Sequence, residues 1–216
     1  LATTNAVTYT PTLNYNGSDS LSMVVSDGGS TGAGGTQSAT GNVALTVNAV
    51  NDAPVNTVPA AQTTAEDTAK VISGLSIADL DGASGTFTVT LAVGHGTVSV
   101  LAGTGVTINN NGTASVQLIG TTSAINTLLA TANAVTYTPE ANYNGADTLT
   151  LTTSDGGNTG SGGPQSDIDT VAISISAVND APVNTLPATL LTNEDTVTAL
   201  NGLSVTDVDA GTASIT

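Results

Sequence analysis

Residues 133–157 read NAVTYTPEANYNGADTLTLTTSDGG, and residues 5–29 read NAVTYTPTLNYNGSDSLSMVVSDGG. Val135 and Tyr137 alternate with Thr, as do Leu149 and Leu151, and side chains two residues apart share one face of a strand. The Asn-Gly and Asp-Gly-Gly steps that bound these runs are turn chemistry. Working outward, the same offset of 128 aligns residues 1–88 with 129–216 without a gap, and 49 of the 88 pairs are identical. The repeat unit is therefore 128 residues, the size of one domain. With AVNDAPV at 49–55 and 177–183 as the linker, residues 51–178 form one complete repeat. Residues 1–50 are then the C-terminal part of the repeat before it, and 179–216 the N-terminal part of the next. Neither partial stretch has the length to bury a core alone, so the sequence reads as a window in a longer array.

Within one repeat the alternation predicts a first strand from Val55 to Thr64, held to a sheet edge by Pro54 and Pro59. A second runs from Val71 to Ile77, and short strands follow at Phe87–Leu91, Val98–Val100, Val106–Ile108 and Val116–Leu118. Thr122 to Ala132 breaks the pattern: Ile125, Leu128 and Leu129 fall at helical spacing, with Ser123 as the expected cap. Val135 and Tyr137, then Leu149 and Leu151, then Val171, Ile173 and Ile175 mark the closing strands. Tyr143, repeated as Tyr15, suits a brace at the corner before the penultimate strand, or plain core packing. The expected fold is all-β: tandem immunoglobulin-like β-sandwiches with one short helix per repeat.

Composition excludes much. There are 17 acids, one Lys and no Arg, for a formal charge of −16. Nucleic acid and anionic membrane surfaces are gripped by Lys and Arg, so neither is a partner. Cys is absent, and His95 stands alone in Gly-His-Gly, which removes disulfides, thiolate sites and multi-His zinc centres. A lone turn His without nucleophile or base is no catalytic site, and the chain is not read as an enzyme. No apolar run reaches the length of a membrane span.

The acids are clustered. None lies in residues 82–139, whereas many crowd the linkers. Carboxylates within a Debye length, about 8 Å at physiological salt, repel unless a cation offsets them. Lys70 becomes Thr198 in the next repeat, so no protein cation does this. Hard oxygen ligands without His or Cys point to calcium. A first strand leading away from the linker carries Glu66 and Asp67 to the far end of the repeat. The second returns Asp79 and Asp81 to Asn51 and Asp52, and the penultimate strand ends there at Asp155. These five meet at the first junction. Asn179, Asp180, Asp207 and Asp209 meet at the second, joined from the repeat before by Glu66, Asp67 and Asp147. All twelve are the expected metal ligands.

These motifs resemble a known family. Asn51-Asp52-Ala53-Pro54 is similar to the cadherin interdomain linker, and Asp79-Leu80-Asp81-Gly82 to the Asp-x-Asp motif that follows it. Glu66 stands where a glutamate ends the first cadherin strand, and Ser154-Asp155-Gly156 resembles the end of the penultimate one. The chain as a whole resembles the cadherin-like tandem repeats of giant bacterial surface adhesins of the RTX, type I-secreted kind. The linker lacks the second Asn and the leading Asp of the full cadherin pattern, so the resemblance implies fewer ions per junction. The Asp-Arg-Glu motif is missing, and Glu140, near its place, becomes Thr12 in the other copy.

Other features carry less. Asp167 and Asp169 become Ala39 and Gly41, so they are a feature of one repeat. The Gly-rich stretch 156–163 follows a strand, opens no helix and lacks the Lys of a phosphate loop. Asn16-Gly17-Ser18 and Asn111-Gly112-Thr113 are formal glycosylation sequons. A Lys–Asn crosslink fails because Lys70 does not repeat. The expected function is a structural spacer of a long extracellular, cell-surface adhesin, stiffened by calcium between neighbouring repeats. Binding of other cells or surfaces then belongs to other domains. Two alternatives stand beside it: a repeat that itself recognises glycans or cells, against which the scarcity of aromatics argues, and lateral self-assembly into a sheath or filament through Thr/Val edge strands.

Overall fold

The computed structural model describes residues 7–29, 32–82, 85–157 and 159–211. A hairpin comes first: β1 (Gly17–Ser26) pairs antiparallel with β2 (Ser38–Val47). The complete repeat follows with β3 (Val55–Thr57), β4 (Gln62–Ala65), β5 (Lys70–Ile72), β6 (Ser76–Ala78), β7 (Phe87–Ala92), β8 (Gly96–Val100), β9 (Val106–Asn109) and β10 (Ser115–Gly120). Then come α1 (Thr122–Leu129), β11 (Val135–Pro139), β12 (Gly145–Ser154) and β13 (Ser166–Ser176), and finally the pair β14 (Val183–Thr185) and β15 (Ser204–Thr206).

One sheet has six strands in the order β4-β13-β12-β7-β10-β9; a second has three, β5-β11-β8; and β3 pairs with β6. Pairing is antiparallel except β4 with β13. Every second residue of the central strands faces a single core: Phe87, Val89 and Leu91 on β7, Leu149 and Leu151 on β12, and Val171, Ile173 and Ile175 on β13. Val98, Val100, Val135 and Tyr137 close it from the smaller sheet, and α1 adds Ile125, Leu128 and Leu129. The result is an all-β fold of packed sheets with one short helix. No helix among the described residues is long and apolar enough to cross a membrane.

Three local expectations shift. The first strand is two, β3 and β4, on either side of a segment containing Pro59, which cannot donate to a ladder. The second is likewise β5 and β6, interrupted around Gly74 in the left-handed region. Each half-strand serves a different sheet, so each of the two runs ties the layers together. The helix is capped by Thr121, whose Oγ1 accepts from Ala124 N, two residues before the expected Ser123.

The sequence repeat is also a repeat of register. Gly17 faces Val47 as Gly145 faces Ile175, and Val55 faces Ala78 as Val183 faces Thr206. Burial differs, because β12 lies against β7 whereas β1 pairs only with β2. Leu149 is 0% exposed and its counterpart Leu21 is 46% exposed. Removing a buried leucine side chain costs about 2–5 kcal/mol. Leu149→Ala should lower the unfolding free energy of this chain by that much, and Leu21→Ala by about 1 kcal/mol or less, read by urea titration followed by circular dichroism. Equal losses would contradict the core described here.

Candidate functional site

The linker residue Asn51 is buried, and its side chain is fully engaged. Nδ2 donates to Asp155 Oδ2 at 2.5 Å and to the Gly163 carbonyl at 3.0 Å, while Oδ1 accepts from Thr159 Oγ1 at 3.0 Å. The amide of Asp52 donates to Asp81 Oδ2 at 3.3 Å. Asp79 Oδ1 accepts from the amides of Asp81 and Gly82 at 3.0 and 2.6 Å, an Asx turn that closes the loop after β6. β6 delivers Asp79 and Asp81 to this end and β12 delivers Asp155. Asn51, Asp52, Asp79, Asp81 and Asp155 are thus brought together.

The acid turn of the first junction recurs at the second. Asp180 N donates to Asp209 Oδ2, and Asp207 Oδ1 accepts from the amides of Asp209 and Ala210 at 2.9 and 3.1 Å. Asn179 Nδ2 donates to the Asp180 carbonyl at 3.1 Å. From the complete repeat come Glu66 and Asp67, in the turn after β4. Glu66 is buried; Oε1 accepts from Val178 N at 2.6 Å and Oε2 from Asn144 Nδ2 at 3.4 Å. Asp67 Oδ1 accepts from Asn142 N at 3.2 Å. Burial, then the charges of Asp209, Asp67, Glu66 and Asp207, raise the pKa of Asp180 above the ordinary carboxylate value.

Both junctions therefore hold carboxylates in an unfavourable setting. Among the described residues, no hydrogen-bond donor reaches Asp79 Oδ2, Asp81 Oδ1 or Asp180 Oδ2, which are shut off from solvent. Burial, followed by the neighbouring Asp81 side chain, raises the pKa of Asp79 against the pull of the Asp81 and Gly82 amides. An ionised oxygen kept from water without a donor is costly. Among the described residues the one ion-pair contact is His95 Nδ1 with Glu140 Oε2 at 3.7 Å, away from these atoms. A cavity of about 500 Å³ at the first junction is lined by Tyr15, Asn16, Asp52 and Asp81 among others, and one of about 380 Å³ at the second by Asn142, Asp180 and Asp207. The unpaired oxygens suit a hard cation, although among the described residues no group of three or more His, Cys, Asp or Glu is already spaced to hold one.

Asp147 is used elsewhere. Its oxygens accept from the amides of Gly94, His95 and Thr148 at 2.9, 3.0 and 2.7 Å, and its Oδ2 lies 2.8 Å from the Tyr137 hydroxyl. Burial pushes its pKa up, and these donors outweigh that and hold it below the ordinary value. The same contact recurs as Tyr9 with Asp19, so this is a brace of the β7–β8 turn, not a junction acid. Asp155 is likewise held low, burial being outweighed by the Gln165 amide, Asn51 and the Gly157 amide. The corner tyrosines do brace: Tyr143 OH donates to the Ala146 carbonyl at 2.9 Å and Tyr15 OH to that of Ser18. Asp167 Oδ2 accepts from Asn56 N at 2.7 Å and pins β3 to β13.

Sequence reasoning missed the Gly-rich loop, whose Thr159, Ser161 and Gly163 all contact the linker. A signal was present: Thr31, Gly32, Gly34 and Gly35 recur as Thr159, Gly160, Gly162 and Gly163. Neither a family model nor a curated protein matches the sequence.

The pKa directions fix a pH signature. A carboxylate raised in the fold lowers stability while ionised, and that cost fades as pH falls through its raised value. One held low contributes stability that is lost only as pH falls below the unfolded value, 3.8, towards the folded one. Asp79→Asn in chelator should therefore raise the melting temperature at pH 7, and the gain should shrink as the pH falls and Asp79 takes up its proton. Asp147→Asn should lower it at pH 7. A destabilised Asp79→Asn at pH 7 would contradict this reading.

Proposed function

We propose that the chain is a spacer segment of a long extracellular, cell-surface adhesin, built from cadherin-like sandwich repeats and stiffened by calcium between them. The observation that carries this reading is the set of buried carboxylate oxygens at the junctions that accept no hydrogen bond, in a chain with one Lys. Asp79, Asp81 and Asp52 would hold the ion at the first junction; Asp180, Asp207 and Asp209 would do so at the second, with Asp67 and Glu66 adding charge from the preceding repeat. Since among the described residues no three acids stand ready as a cage, water, amide or carbonyl oxygens would complete the shell, which fits the weak affinities of extracellular modules, about 10⁻⁴–10⁻³ M. When bound, calcium offsets the carboxylate repulsion and so fixes the angle between adjacent repeats. Inside a cell, where free calcium is low, the junctions would stay loose for export; outside they would lock. Adhesive contacts belong to other parts of the array.

Calcium that binds only the folded chain stabilises it by RT ln(1 + [L]/Kd), about 1–3 kcal/mol at ~10–100 times Kd. Thermal melts in 10 mM calcium and in excess chelator should differ by several degrees. Asp79→Asn should shrink that difference while raising the melt in chelator. Identical melts of the parent chain in calcium and chelator would sink the metal reading.

A further inference from the structure

The two junctions display different halves of one contact. At the first, the linker runs beside the Gly-rich loop as a short parallel bridge between Val50 and Ser161. Ser161 N donates to the Ala49 carbonyl at 3.0 Å, and Asn51 N donates to the Ser161 carbonyl at 2.8 Å. Thr159 Oγ1, Asp155 Oδ2 and the Gly163 carbonyl seize the Asn51 side chain. Gly160 allows the approach: a Cβ there would stand 2.8 Å from Asn51 N, and its φ of +72° is glycine territory. All of these loop groups belong to the repeat that follows the linker.

At the second junction the contact comes from the repeat that precedes it. Glu66 N donates to the Ser176 carbonyl at 3.0 Å, and Glu66 Oε1 accepts from Val178 N at 2.6 Å. Val178 is the counterpart of Val50 at the repeat offset. In extended backbone, the polar groups of one residue point to the edge opposite those of its two neighbours. The loop takes the groups flanking the linker valine, and the glutamate takes the valine's own amide. The two claims fall on opposite edges and do not compete.

We propose that each linker is a shared strand, clipped by protein from both sides: by the Gly-rich loop of the repeat after it and by the buried glutamate of the repeat before it. The clip needs no metal. It assigns Glu66 to the linker amide ahead of any ion, and it gives the Gly-rich loop a binding partner, the Ala-Val-Asn segment at its own upstream end. Calcium then acts on a linker already seated, so the inference stands whether or not the metal reading holds.

Amide hydrogen exchange followed by NMR on the full chain in excess chelator tests it. Asn51, Ser161 and Val178 should exchange at least ~10-fold more slowly than Ala181 in the same linker type. Gly160→Ala should abolish the protection at Asn51 and Ser161 and leave Val178 protected. Glu66→Ala should do the reverse. Exchange of Asn51 and Val178 at the rate of Ala181 in the parent chain would overturn the proposal. So would unchanged protection of Asn51 in Gly160→Ala, a variant that leaves the buried core intact.

Discussion

Carboxylate oxygens at Asp79, Asp81 and Asp180 are withdrawn from water with no proton donor facing them among the described residues, and the chain's one Lys forms no ion pair with them there. Everything at the ends of the repeat is arranged around that tension. Backbone amides take the partner oxygen of each turn acid, Asp79 Oδ1 and Asp207 Oδ1, so the turns are rigid. The linker amides of Asp52 and Asp180 reach Asp81 and Asp209, so the linker is drawn onto the acids instead of away from them. Burial and mutual charge then raise Asp79 and Asp180, a standing cost that a hard cation would remove.

Other acids in the same chain show how such groups look when the protein satisfies them itself. Asp147 and Asp155 are more deeply buried, yet each gathers amide donors and is held below the usual carboxylate range. The contrast separates two uses of aspartate within one repeat. Asp147 and Asp155 are parts of the scaffold, bracing the β7–β8 turn and the Gly-rich loop. Asp79, Asp81 and Asp180 keep an oxygen in reserve. The Gly-rich loop and Glu66 add a third layer, in which the linker backbone itself is held by the loop at the first junction and by the glutamate at the second.

Strands with period-two alternation were legible residue by residue: Phe87-Val89-Leu91, Leu149-Leu151 and Val171-Ile173-Ile175 face the core as their spacing requires. So was the helix, from Ile125, Leu128 and Leu129. Strand direction was enough to bring Asn51, Asp52, Asp79, Asp81 and Asp155 to one end. The splitting of the first two strands was less legible, because Pro59 and Gly74 announce a break without saying that the halves join different sheets. The scaffold contacts of Asp147 were not legible, because its donors include amides at Gly94 and His95, more than fifty residues away. The linker clip was hidden for the same reason, since an uncharged loop of Gly, Asn, Thr and Ser that binds largely through its backbone has no charge pattern to announce it.

The account turns on whether an ion at the junction acids sets the geometry between neighbouring repeats. Small-angle scattering of the chain in 10 mM calcium and in excess chelator measures that directly. The account predicts a longer maximum dimension and a narrower distance distribution with calcium, both lost on chelation and both weakened by Asp79→Asn. Superimposable scattering curves in the two conditions would contradict it.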